Sequence, residues 1–379
     1  MALLPKLRAG VALFLSACLL CPPALALVTF NDGKEHLFVT GTASVAYDSN
    51  VFAHAGSGSD TIYSAGLLME YTRRAGWIGV NASVALNLSQ FVDNRDQNFI
   101  NPRFEGELTK TSGRTTGSLN LSAARENRAD TAANLREESW NYVAMLNFKY
   151  PVISRYSISG SVGYINRVYD NTILLSNLRT YTASLDLLYA LNSQRDLMAG
   201  YRYRYSETSR DSAFDDTSFT VGLSGKIIPR LNGTIRAGYQ VRHPRGRATD
   251  GDFRGLTASG SATFTASKKF SMSGQISKDV SVTSTDISID TLGVSLEATY
   301  VFNARISVFS SVGGGRSRFL GVTGNGRRDE DFTFGAGVNY TMRQHLTASL
   351  AYAYFQNWST LSYSDYDRNT FTLSLSSRW

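Results

Sequence analysis

The sequence predicts an all-β fold, a transmembrane antiparallel up-and-down β-barrel of about eighteen strands in a single domain. Three observations carry this. From His36 to Trp379, stretches of about ten to fourteen residues alternate apolar with small or polar side chains, which in a strand puts one face in oil and the other in water. Turns close these stretches, alternately short and long. The chain ends on an aromatic residue, with Phe371, Leu373, Leu375 and Trp379 in one phase of the last stretch.

The first residues read as a leader. Lys6 and Arg8, an apolar run over 11–20 and Ala24-Leu25-Ala26 predict a cleaved secretory signal over 1–26, with the barrel over 27–379. The run is too short for a spanning helix. Both cysteines, Cys18 and Cys21, fall in the leader, so no disulfide, cysteine metal site or cofactor is expected in the mature chain. Leu15-Ser16-Ala17-Cys18 resembles a lipoprotein processing box, and lipidation of Cys18 stays open as the alternative. Against it, the residues after Cys18 stay apolar through Leu27, where a polar tether is expected.

Mean hydropathy is −0.17 and no later segment has the apolar length of a membrane helix, which excludes a helical membrane protein. Half-apolar alternating strands escape such a scan. Of 38 basic against 31 acidic residues, two basic ones lie in the leader, leaving an excess of five. The cations are spread one or two per strand without a nucleic-acid-binding motif, so no nucleic acid partner is expected.

Charge placement decides the phase of each strand. The first strand, 37–47, sets Leu37, Val39, Gly41, Ala43, Val45 and Tyr47 against Phe38, Thr40, Thr42, Ser44 and Ala46. In 197–206, Leu197, Ala199, Tyr201, Tyr203 and Tyr205 oppose Met198, Gly200, Arg202, Arg204 and Ser206. An arginine on the lipid face near the midplane costs about 2–4 kcal/mol, so the tyrosines face lipid and the arginines face the lumen. The strands at 78–89 and 256–265 sort the same way.

Short turns follow even strands, as at 74–76, 112–114, 192–195, 228–230, 267–269 and 303–305. Longer polar loops follow odd ones, as at 48–60, 126–138, 243–254, 322–330 and 357–368. Short turns in this class face the periplasm, which predicts periplasmic termini, an even strand number and an outer-membrane location in a Gram-negative bacterium. Length per strand leaves nothing spare for a plug, and a barrel of this size encloses a water-filled channel. Tyr71, Trp77, Trp140, Tyr150, Tyr156, Tyr189, Tyr300, Phe302, Tyr340, Tyr354 and Trp379 suit interfacial girdles. All outward faces look fit for lipid, which favours a monomer, inserted by the barrel-assembly machinery.

The phase assigns Arg103, Lys149, Arg167, Arg202, Arg204, Lys226, Arg236 and Arg242 to the lumen, opposed by Glu70, Glu105, Glu107, Asp186 and Glu297. The basic members concentrate on strands seven to eleven and most acids on strands two and four, giving two walls of opposite sign that would bias what crosses. The bland alternative is that these charges pair with one another. Arg202, Arg204, Arg236 and Arg242 are the best candidates for an anionic passenger, since guanidinium forks bind carboxylates bidentately.

Nothing points to catalysis or to a metal. The four histidines, His36, His54, His243 and His345, form no His-x-x-x-His or comparable pair, and His243 with Asp250 or Asp252 is the one loop neighbourhood that could be argued. Gly313-Gly314-Gly315-Arg316 lacks the Lys-Ser/Thr of a phosphate loop, so it relieves crowding or bends strand fifteen. Asp48-Ser49-Asn50 and Asp93-Asn94-Arg95-Asp96 have spacings too irregular for a calcium loop.

Tyr47-Asp48-Ser49-Asn50-Val51 resembles the Tyr-Asp-x-Asn-Val opening of the family of putative β-barrel porins, type 2, whose members often occur with capsule or exopolysaccharide synthesis genes. Members often carry Arg shortly after the motif, where this chain has Ala53 and His54. The resemblance implies a passive outer-membrane conduit for an exopolysaccharide or capsular polysaccharide, partnered by outer-membrane lipid, the polysaccharide and periplasmic export proteins. Two alternatives stay open: a general or anion-preferring diffusion porin, and a structural or adhesive surface barrel.

Overall fold

The computed structural model describes residues 28–30, 34–74, 76–248, 251–321 and 326–379; the expected leader, with Cys18 and Cys21, lies outside them. Alternation becomes eighteen long antiparallel strands. They are β1 Glu35–Asp48, β2 Asp60–Arg73, β3 Gly79–Phe91, β4 Phe99–Lys110, β5 Thr116–Asp130, β6 Leu135–Ile153, β7 Tyr156–Tyr169, β8 Leu178–Asn192 and β9 Arg195–Thr208. The second half follows as β10 Ser212–Ile228, β11 Leu231–Gly246, β12 Phe253–Thr265, β13 Phe270–Val282, β14 Ser288–Val301, β15 Ile306–Phe319, β16 Arg328–Arg343, β17 Leu346–Ser359 and β18 Tyr366–Arg378.

Each strand pairs with the next in sequence, and β18 pairs with β1 in the register Phe371↔Tyr47 and Leu375↔Ala43. Closure leaves no unpaired wall edge, as a sheet in hydrocarbon requires. A three-residue strand, Val28–Phe30, lies against the start of β1.

The expected lipid face is the face that is bare. Leu256 is 72% exposed, and Val221, Phe219, Leu350 and Val162 each exceed half. In water such a surface would be untenable; in hydrocarbon it is the matching solvent. Buried residues gather instead at the end with the longer connections, where Val51, Leu175 and Phe214 are fully covered.

The two ends differ. Eight short turns lie at the end carrying the termini, and nine connections at the opposite, loop end. Some expected long loops are strand: 126–138 is a hairpin closed by the short turn 131–134, and β11 runs to Gly246. Polar alternation in these stretches continues past the membrane, and their backbone groups still find partners across the ladder.

Candidate functional site: the lumen and its mouth

Ion pairs that skip strands prove which side is inside, because two outward side chains cannot meet across an intervening strand. Arg167 on β7 reaches Glu126 on β5 at 3.4 Å, and Glu70 on β2 meets Arg378 on β18 at 3.0 Å across the closure. Lys149 on β6 lies 3.4 Å from Asp196 on β9. Arg236 on β11 donates to Asp186 on β8 at 2.8 Å, over two strands. Arg202 and Arg204 on β9 reach Asp279 on β13 at 3.0 and 2.8 Å, over three.

The remaining assigned residues share that phase. Arg103 pairs with Glu105 at 2.8 Å, Ser83 donates to Glu105 and Asn81 to Glu107. Glu297 stands in register between Ser273 and Ser311, and Lys226 opposite Asn232.

The expected basic wall is corrected by this pairing. Arg202, Arg204, Arg236 and Arg242 are not open to an anionic passenger as drawn from sequence; carboxylates already engage them. Asp216 accepts from Arg242 Nε and Nη2 at 2.6 and 2.8 Å and from Arg204 Nε at 2.9 Å. Arg242 is 1% exposed and also donates to the Ser281 carbonyl and the Ser288 hydroxyl at 3.0 Å. Gln240 completes the cluster: with its amide turned to suit both neighbours, the nitrogen donates to Asp279 at 2.7 Å and the oxygen accepts from Arg204 at 3.3 Å. Charges this deep are tolerable only when paired and hydrogen-bonded.

Asp216 was within reach of sequence reasoning. It stands directly across from Arg204 on one side and Arg242 on the other, so opposite charges in register would have flagged it. Asp279 was not, since no local rule brings β13 to β9.

What brings them together is a departure from the wall. The β12–β13 ladder runs only from Thr265↔Ser271 to Ala258↔Lys278, although both strands continue beyond it. The β4–β5 ladder likewise stops at Arg103↔Ala124, while β5 runs on to Asp130. Past those points the β13–β14 and β5–β6 hairpins fold inward. Their tips meet, eight strands apart: Ser284 donates to Asp130 at 2.9 Å.

Other connections fasten to the same knot. Ser176 N–H donates to the Ser284 carbonyl, and Thr208 and Ser212 donate to Asp286 at 2.8 Å. Asn134 donates to the Ala53 carbonyl and accepts from Ser364. Arg327 donates to the carbonyls of Thr131 and Ala132 at 2.8 and 2.9 Å and stacks on Phe319. The channel expected of a barrel this size is therefore bridged at its mouth by the barrel's own strand ends.

The first-loop motif serves this bridge. Asp48, 1% exposed, accepts a bidentate pair from Arg368 on β18, while Asn50 N–H returns to Asp48 Oδ1 at 3.0 Å. Asn50 also donates to the carbonyls of His54 and Asp367. Tyr47 faces outward at 45% exposure. Arg136, stacked over Phe91 and Phe99, donates to the Val51 carbonyl. The motif thus pins the first loop to the last strand and contributes position, not a free ligand.

The lumen holds a recess of about 630 Å³ on β11–β16, lined in part by the small polar side chains of Ser259, Ser277, Thr291, Ser295 and Thr333. Gly313 and Gly315 face it for lack of room: a Cβ there would lie 2.7 Å from Thr333 Oγ1 and 2.6 Å from Asp331 Oδ1. This is the crowding expected of the triple glycine.

Among the described residues, no group of three or more His, Cys, Asp or Glu is placed to hold a metal. His243 Nδ1 lies 3.1 Å from Asp252, both half exposed; Asp250 is outside the described residues.

Comparison with known proteins bears on this geometry. Residues 205–378 match the model of the family described as "Putative beta-barrel porin 2", a span that excludes the Tyr47–Asn50 motif. No curated protein sequence matches the chain. The Pseudomonas aeruginosa protein OccK2 (OpdF) is similar in structure at 12% identity and a TM-score of 0.50, covering 92% of this chain and 98% of its own. Acinetobacter baumannii OccAB2 overlays 93% of this chain and 99% of its own, at 11% identity and a TM-score of 0.49. At 12% identity the likeness to OccK2 is one of fold.

Proposed function

We propose that this chain, a porin-like outer-membrane β-barrel resembling the putative β-barrel porin 2 family, is a diffusion porin for small polar solutes. Its termini face the periplasm and its bridged mouth faces outward, as the short-turn rule implies. One observation supports this above others: the in-folded β5–β6 and β13–β14 hairpins join at Ser284 and Asp130, leaving narrow routes suited to solutes rather than to an extended polymer.

The compensated lumen points the same way. A conduit for an acidic polysaccharide needs uncommitted cations along the path, whereas Arg202, Arg204, Arg236 and Arg242 are held by Asp279, Asp216 and Asp186. Paired charges give weak ion preference, and the Ser/Thr recess offers hydroxyl partners to polar solutes. The polysaccharide reading retains only the resemblance at Tyr47–Val51 as its motivation.

Liposome swelling with sugars of rising size, paired with reversal potentials in a salt gradient, tests this. Small sugars should enter, oligosaccharides should not, and the cation-to-anion ratio should stay near unity. Free passage of long polymer, or strong anion selectivity, would overturn it.

A further inference from the structure

The excess of basic residues is not spread along the barrel axis. Each of the eight short turns at the terminal end carries an arginine or lysine within it or directly beside it, from Arg74 in the first to Arg343 beside the last. None of the described residues of these turns is acidic, whereas the loop-end connections carry Asp93, Asp96, Asp170, Asp211, Asp286 and Asp365. Most of the turn cations are exposed, and of the strand acids near this end Glu35, Glu70 and Asp196 pair with Arg73, Arg378 and Lys149, while Glu107 accepts from Asn81.

Four of these cations, Lys110, Arg114, Arg155 and Lys269, sit at the outside of the rim beside lipid-facing aromatics. Lys110 Nζ lies 5.0 Å from the ring centre of Trp77, which is 77% exposed. Arg114 stacks 4.8 Å above Tyr150 and donates to the Val152 carbonyl, and Arg155 reaches the Tyr189 hydroxyl at 3.5 Å. Lys269 reaches the Phe302 carbonyl at 3.4 Å, beside another exposed ring. Aromatics of this kind mark the hydrocarbon boundary, so a cation just beyond them lies at the depth of the headgroups.

We infer that the terminal-end rim is a lipid-phosphate collar: a ring of guanidinium and ammonium groups that binds anionic phospholipid headgroups of the adjoining leaflet. Its aim at headgroup depth favours this over capture of an acidic protein or steering of anions into the pore, for which the cations would line the inner mouth. Arginine suits the task because its fork matches phosphate oxygens and it is shed from water readily.

The test uses the full chain reconstituted with equimolar phosphatidylcholine and phosphatidylglycerol. After detergent washing, the lipid retained on the barrel is identified by mass spectrometry. Phosphatidylglycerol should be enriched, with a loss of roughly fivefold per engaged cation when Lys110→Gln, Arg114→Gln and Arg155→Gln are combined. A variant neutralising three loop-end cations, Arg95→Gln, Arg210→Gln and Arg247→Gln, should retain it, and both should keep the heat-resistant mobility of a folded barrel. Equal retention of the two lipids, loss of enrichment in the loop-end variant instead, or ready displacement by inorganic phosphate would overturn the collar. The outcome is independent of what the pore conducts.

Discussion

Arg236 donates to Asp186 at 2.8 Å although two whole strands stand between them. Gly200 on β9 lies in register with Asp186, and any Cβ there would overlap the carboxylate oxygen that Arg236 holds. On β10, Gly222 stands in register with Arg236, so each of the two intervening strands presents a glycine along the bridge, with Thr220 beside it. The glycines are what permit a charge pair to close across the curve of the barrel.

Replacing Gly200 by alanine should therefore displace the Asp186 carboxylate and free Arg236. Reversal potentials should move toward anions, with thermal stability little changed because a carboxylate can swing aside. Gly58→Ala is the matched control, since nothing lies within 4 Å of its added Cβ. Unchanged selectivity in Gly200→Ala would show that the pair does not govern the path.

Asp216→Asn should be among the most destabilising single changes in the barrel. It leaves Arg242, 1% exposed, without its carboxylate and weakens the hold on Arg204. Removing one partner of a buried pair costs about 3–5 kcal/mol, while the half-exposed Asp252 partner of His243 should cost about 0–1 kcal/mol when changed to Asn. Urea unfolding of the reconstituted barrels measures both.

The lipid and lumen phases separate cleanly in a third pair of variants. Val221, 66% exposed on the outer face, changed to Arg should lower folding stability by about 2–4 kcal/mol. Ser277→Arg, in the wall of the lumen recess, should fold normally and reduce conductance. Equal stability losses would mean that the assigned phase is wrong.

These contrasts mark what can be read from sequence. Period-two alternation and the cost of arginine in hydrocarbon place Arg202 and Tyr201 on opposite faces without any coordinates. Counting turns gives an even number of about eighteen strands, which the closed barrel matches. Cation partners across a shared register, such as Arg204 with Asp216, are accessible to the same reasoning. The meeting of Arg204 with Asp279 is not, because it depends on β13 leaving its neighbour after Lys278. One sign of the in-folded hairpins is present in the chain: β6 has 19 residues, against the roughly 9–11 a membrane strand needs. The surplus had to go somewhere, and polar alternation could not say that it turns inward.

The contact between Ser284 and Asp130 is the most direct point at which to test whether strand ends set the pore. Cys18 and Cys21 are the chain's only cysteines, both ahead of the barrel, so Asp130→Cys with Ser284→Cys introduces the one thiol pair inside it. Single-channel conductance before and after reduction is the measurement. The two tips should cross-link in the folded barrel, with a conductance close to that of the unaltered protein, and reduction should raise it several-fold as the hairpins part. Failure to cross-link, or a conductance that ignores the link, would contradict a mouth bridged by the β5–β6 and β13–β14 hairpins.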